Sequence, residues 1–197
     1  MSSRKEAKDQ RRRELLVAAA DIMASKGFNQ TRFDDVGAAV GISGPGLYRY
    51  FSSKGDLLAE MLIEISTSLL ENSTQIVTAA REEGTNPTQA LRRLVDFHVD
   101  FAITQPNLIR VQQREMMNLE KEASEKVRSL QRAYLRLWSD VLLAARPELG
   151  RKEARLRAQL ASGLVTSVQF VIHWAGEDLV RTQATQMAIS ALLADGE

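Results

Sequence analysis

Residues 33–54 read FDDVGAAVGISGPGLYRYFSSK, and their spacing decides the fold. Val36 and Val40 stand one helical turn apart, Gly41-Ile42-Ser43 breaks the pattern, and Leu47 and Phe51 stand one turn apart again. Gly41 can take the left-handed conformation that ends a helix. Ile42 is apolar and fills the space under the turn, and Leu47 can meet Val36 and Val40 from the second helix. The pattern predicts a helix-turn-helix whose second helix, Gly44 to about Tyr50, enters a DNA groove.

Working outward, Thr31 and Asp34 have the spacing of a capping box at the start of the first short helix, and Ser53 and Asp56 repeat it where a long helix begins. Ahead of them, Leu15, Leu16, Ala19, Ile22 and Met23 give a helix over 9–26 that Gly27 ends. Further helices are expected near 57–82, 87–104, 107–117, 119–145, 150–175 and 178–194, with Asn86 capping the second of these. Pro45, Pro87, Pro106 and Pro147 all fall where a helix would start or stop. No stretch sustains the alternation that marks a strand, so the fold class is all-α.

Composition narrows the function. Residues 1–54 hold ten Lys/Arg against six Asp/Glu, while 55–197 hold sixteen against nineteen, so a basic contact module sits on a slightly acidic body. The organisation expected is a DNA-binding domain over 1–54, with a basic N-terminal arm, and a helical body over 55–197. The absence of cysteine excludes disulfides, thiol catalysis and Cys-ligated zinc. With no Glu-x-x-His pair, nucleotide loop or nucleophile elbow, no catalytic residue, metal site or cofactor is assigned, and an enzyme is not expected. No apolar run approaches a membrane span and the N-terminus lacks a secretory h-region, so a cytoplasmic protein without membrane contact is expected.

The contact chemistry lies on the outward face of the second helix. Gly44 and Gly46 let backbone approach phosphate or base edges, and Ser43, Gly44 and Pro45 open the helix where amides can receive a phosphate oxygen. Arg49 can bond guanine bidentately or pair with phosphate, and Tyr48 and Tyr50 can donate O–H. Lys54, Thr31 and Arg32 can reach the DNA backbone from the flanking helices. The plainer alternative is that the tyrosines pack and Arg49 is merely solvated.

The segments LLVAAADIMASKGFNQTRFDDVGAAVGIS (15–43) and LYRYFSSKGDLL (47–58) resemble the N-terminal DNA-binding domain of the TetR family of bacterial transcriptional regulators, over residues 11–61 in all. The resemblance keeps Leu47-Tyr48-Arg49-Tyr50-Phe51. It departs at Gly44-Pro45-Gly46, where the family usually has a basic residue first, and at Gly37, where it usually has alanine. It implies an all-helical body with a ligand cavity and a dimer interface.

Independently, 154–175 turns apolar nearly all round after Gln159, and such a helix must be buried on several sides. With Ala161, Ser162, Gly163 and Ser167 permitting close approach, and Met187, Ala188, Ile189, Leu192 and Leu193 on the last helix, the helices 150–175 and 178–194 are expected to pair in a homodimer that reads two operator half-sites. Candidate pocket residues are Phe97, Phe101, Gln113, Met117, Tyr134, Trp138, Phe170 and Trp174, with core packing the alternative for each. His98 and His173 read as satisfied structural histidines. The stretch 95–142 is similar to regulators of fatty-acid and acyl-CoA metabolism in actinobacteria, which implies an apolar or amphipathic effector such as an acyl-CoA. These readings give a ligand-responsive repressor. The competing one is a helical interaction module without specific DNA binding.

Overall fold

The computed structural model describes residues 2–195. Ten α-helices follow in order: α1 Ser2–Lys26, α2 Phe33–Ala39, α3 Gly44–Leu47, α4 Lys54–Glu82, α5 Pro87–Thr104, α6 Pro106–Glu115, α7 Lys121–Ala145, α8 Arg151–Thr166, α9 Ile172–Ala175 and α10 Glu177–Leu193. Short 3-10 turns lie at Met116–Asn118 and Ser167–Phe170, and no strand occurs among the described residues. The chain forms two compact units. One comprises residues up to Ile65 with Asn107–Val127, the other Ser66–Pro106 with Arg128 onward.

In the first unit, Leu15, Ala19 and Met23 of α1 are fully buried, together with Val36, Leu47, Leu57, Leu58, Leu62 and Val111. The first helix runs back to Ser2, longer than the apolar pattern indicated, because the basic arm continues it without breakers. The side chains of residues 2–5, including Arg4 and Lys5 of that arm, lie outside the described residues.

The helix starts follow local chemistry with shifts of one residue. Asp35, not Asp34, accepts from the Arg32 amide at 3.4 Å, while the Thr31 hydroxyl donates to the Gly27 carbonyl at 2.8 Å. The expected Thr31–Asp34 box is therefore replaced by an Arg32–Asp35 contact. At α4, Ser53 Oγ accepts from the Asp56 amide at 3.0 Å, and Asp56 reaches back to the Ser52 amide at 2.9 Å, one residue before the expected partner. Asn86 caps α5 as expected, accepting from Thr88 and Gln89.

In the second unit, α5, α8 and α10 pack on one another. The predicted continuous helix over 150–175 is broken. Thr166 and Ser167 hydroxyls bond back to Gly163 and Leu164 carbonyls, at 2.9 and 2.6 Å, and the chain tightens to a 3-10 turn before α9. Such back-bonding competes with the helical ladder. Gly176, at φ 82°, makes the turn into α10. Ala154, Ala158, Ala161 and Val165 form the inward face of α8, and Ala188, Ile189 and Leu192 the inward face of α10. Ala161 and these three residues therefore serve the unit's own core rather than an outer interface.

Candidate nucleic-acid interface

The turn between α2 and α3 is built on close backbone approach. The Gly37 carbonyl accepts from both Val40 and Ile42, at 3.1 and 2.9 Å. A Cβ on Gly37 would come within 2.6 Å of the Ile42 carbonyl oxygen, which accounts for glycine there. Gly41 takes φ 73°, as the left-handed helix end requires. Val36 and Leu47 are fully buried and Phe51 nearly so, which fixes the short α3 against α2.

A second layer holds α3 from behind. Arg12 on α1 donates to the Tyr50 carbonyl at 2.7 Å, pairs with Glu60 on α4, and sits 4.7 Å from the centre of the Phe51 ring. The hydrogen bond to Glu60 leads in holding the Arg12 guanidinium above its ordinary pKa. Arg12 was not foreseen as a functional residue. It sits in an RRR run that reads as plain basic surface, and its partner lies 48 residues away.

On the outward side, Tyr48 is 64% exposed and leans on the Phe33 ring, with centroids 5.0 Å apart. Arg49 and Arg32 are exposed, as are Ser43 and Pro45; Gly46 is half-exposed and Tyr50 half-buried. Arg49 forms no ion pair among the described residues. Thr31, Arg32, Pro45, Tyr48 and Lys54 border one shallow cleft.

Three expected contacts change. Thr31 is buried and its hydroxyl is committed to Gly27, so its side chain supports the surface rather than forming it. Lys54 donates to the carbonyls of Asn29 and Thr31, at 3.2 and 3.1 Å, and lies over the Phe28 ring, so its main work is to clamp the turn before α2. Gly44 is buried, not outward. Its missing Cβ is where the Asp34 carboxylate lies, 1.8 Å from the position a Cβ would take. Asp34 thus fills the space vacated by a side chain, and the front of α3 carries an acidic group. Alongside it, Lys26 bonds Asp35 at 3.2 Å and holds that carboxyl below its usual range.

The candidate pocket residues are divided between the units. Gln113 and Met117 belong to the first and are exposed, Met117 at 86%. In the second, Phe97 and Phe101 are half-buried on α5, while Phe170 and Trp174 are 61% and 71% exposed and belong to an outer apolar face, not an interior pocket. Tyr134 and Trp138 are buried and meet His98, with ring centroids 5.5 to 5.9 Å apart in all three pairings. His98 is not a satisfied histidine. Its Nδ1, Tyr134 Oη, Trp138 Nε1 and Ser73 Oγ are buried without a hydrogen-bond partner. Each such group costs about 1–3 kcal/mol if left unmet. Burial alone brings the His98 pKa down to about 4 and pushes the Tyr134 phenol up, although Trp138 and Ser73 stand close enough to favour its ionised form. His173, by contrast, is exposed.

Two family models match the chain. "Bacterial regulatory proteins, tetR family" covers residues 15–61, and "Tetracyclin repressor-like, C-terminal domain" covers 84–178. The chain belongs to the TetR family of transcriptional regulators. As a TetR-family member it is a helix-turn-helix transcription regulator rather than an enzyme. It is similar to the transcriptional activator FasR of Mycolicibacterium smegmatis, at 31% identity over 48% of this chain but only 41% of that protein. It is also similar to the fatty acid metabolism regulator protein of Bacillus subtilis, at 22% identity over 93% of both. The fold matches a TetR-family regulator from Bordetella parapertussis, with TM-score 0.78 and 24% identity over 93% of this chain and 94% of the other. It also matches FadR from Bacillus subtilis, solved with stearoyl-CoA, with TM-score 0.70 and 18% identity over 90% and 97%. Among the described residues no helix is long and apolar enough to cross a membrane.

Proposed function

We propose that this TetR-family regulator is a repressor that binds a palindromic operator as a homodimer and is released by an amphipathic effector, a fatty acyl-CoA. Residues 1–54 are the DNA-binding domain with its basic arm, and 55–197 the ligand-binding and dimerisation body. The carrying observation is the pairing of exposed Tyr48 and Arg49 with buried Leu47 and Phe51 on one turn of chain. A rigid underside presents a hydrogen-bond donor and a free guanidinium outward, the combination that reads phosphate and guanine. Arg32 adds a second exposed cation from the start of α2.

Dimerisation is supported by Leu156, Leu160, Phe170, Trp174, Leu179 and Met187, all more than half exposed between α8 and α10. Six large apolar side chains exposed on elements that pack on one another call for a cover. A second copy is the natural one, because a two-fold dimer matches two half-sites one helical turn or a multiple apart. The effector class is supported by the relatives. The Bacillus protein is a fatty acid metabolism regulator, and two structural neighbours were solved with stearoyl-CoA and with isovaleryl-CoA and operator DNA. Ligand would favour a conformer in which the two α3 helices are wrongly spaced for the operator, shifting the population off DNA. The helix α4, with residues in both units, is the element through which that change would pass.

The test is sequence selection from a random duplex pool, then titration of the selected duplex–protein complex with a panel of acyl-CoAs. Two-fold-symmetric sequences and release by at least one thioester are expected. Selection of no sequence would overturn the repressor reading, and selection without release by any thioester would overturn the effector class.

A further inference from the structure

We propose that Tyr134, Trp138 and Ser73 form a carbonyl-binding site inside the second unit, closed by His98, which takes the neutral acyl oxygen of a thioester. The inference rests on the effector reading above and sharpens it, from a class of molecule to the atom recognised.

Four polar atoms, each on a side chain at least nine-tenths buried, belong to one cluster and make no hydrogen bond of good geometry, although Trp138 and Ser73 stand near the Tyr134 hydroxyl. The three aromatic rings are mutual neighbours, and Ser73 lies beside the Tyr134 hydroxyl together with Trp138. Buried polar atoms are almost always paired, so a group of unpaired ones marks a place where something else supplies the partner. The chemistry of these atoms says what that is. Trp138 Nε1 is a donor only, and the Tyr134 and Ser73 hydroxyls each carry a proton to give. The hydroxyls and the imidazole can also accept, but the three donors stay unpaired among themselves, and a carbonyl oxygen, with two lone pairs and no proton, would meet two of them.

The oxygen is neutral because the cluster is. It contains no Lys or Arg, and burial keeps the His98 imidazole uncharged throughout the physiological range. An unpaired carboxylate in such a place would bear a large desolvation penalty. A thioester carbonyl has no ionic charge to desolvate, and hydrogen bonds from the cluster offset the smaller cost of burying a neutral polar group. The ring edges of Tyr134, Trp138 and His98 supply the apolar surround that an acyl chain needs at its polar end. No residue of the DNA-binding face takes part, so the site can be altered without touching that face.

The test uses the full-length protein and calorimetric titration with isovaleryl-, lauroyl- and stearoyl-CoA, the S-alkyl thioether analogue of whichever binds best, and the matching free acid. The thioether keeps the chain and the nucleotide and lacks only the carbonyl. The thioester is expected to bind at least about tenfold more tightly than its thioether, and more tightly than the acid. Tyr134→Phe, which keeps the ring, should bring the thioester-to-thioether ratio close to one. The Trp138 indole N–H resonance should move with the thioester and stay in place with the thioether. Equal binding of thioester and thioether, or a ratio untouched by both Tyr134→Phe and Ser73→Ala, would overturn the site. Binding by no thioester would overturn both the site and the effector class. A carbonyl preference without release of DNA would leave the site standing and overturn the regulatory reading.

Discussion

Burial of His98 as a neutral imidazole should make the second unit less stable in mild acid. The imidazole is buried beside Tyr134 and Trp138, and burial brings its pKa from 6.5 down to about 4. The unfolded chain therefore takes up a proton as pH falls through 6.5, while the folded chain stays neutral until about 4. Stability is fully present above the unfolded value and is lost as pH drops between the two. With these values the loss between about pH 7.5 and about pH 5 is about 2 kcal/mol. Ion pairs hold the Asp35, Glu83 and Glu148 carboxyls below their ordinary values, so the stability these add is lost mostly below about pH 5. Both tryptophans lie in the second unit, so urea titration followed by tryptophan emission reads that unit directly. Wild type should lose about 2 kcal/mol on acidification, and His98→Gln, which has nothing to titrate, should lose little of it. An equal loss in the variant would show that His98 is charged or solvated in the folded state, and the buried cluster would have to be redrawn.

Three further outcomes follow from packing. Leu47→Ala removes a fully buried side chain under the contact turn and should cost about 2–5 kcal/mol in the first unit, read by urea denaturation with circular dichroism. Gly37→Val places a side chain within 2.6 Å of the Ile42 carbonyl and should cost about 1–3 kcal/mol or more by the same measurement, with loss of DNA binding in the folded fraction. Asn86→Ala removes the acceptor for the Thr88 and Gln89 amides and should cost about 1 kcal/mol in the second unit, while DNA affinity is kept.

Much of this molecule was legible in its sequence because its signals are local. Val36, Gly41, Leu47 and Phe51 fix the helix-turn-helix by spacing alone, and the prolines at 87 and 106 each open a helix. What the sequence could not show depends on partners far along the chain. Gly44 read as an opening for DNA, yet its Cβ position is taken by the Asp34 carboxylate. Lys54 read as a phosphate contact, yet carbonyls 23 and 25 residues away take its ammonium. The break at Thr166–Ser167 was hidden because apolar periodicity runs straight through it, whereas the hydroxyl back-bonds that cause it are a matter of rotamer. Tyr134 and Trp138 are on one helix at turn spacing, but Ser73 and His98 join them only through folding. No periodicity points to that meeting.

If Tyr48, Arg49 and Arg32 face DNA as proposed, binding must depend strongly on salt. Affinity for the selected duplex, measured by fluorescence anisotropy across salt concentrations, should fall steeply, since each phosphate neutralised adds about 0.9 to the slope of log K against log salt. If Arg49 pairs with phosphate, Arg49→Ala should flatten the slope by about 1 per protomer without lowering stability. If Arg49 reads guanine, the slope should hold while preference at one base pair of each half-site relaxes. A flat salt response in the wild type, or an Arg49→Ala variant with unchanged affinity, slope and sequence preference, would mean that this face does not bind DNA.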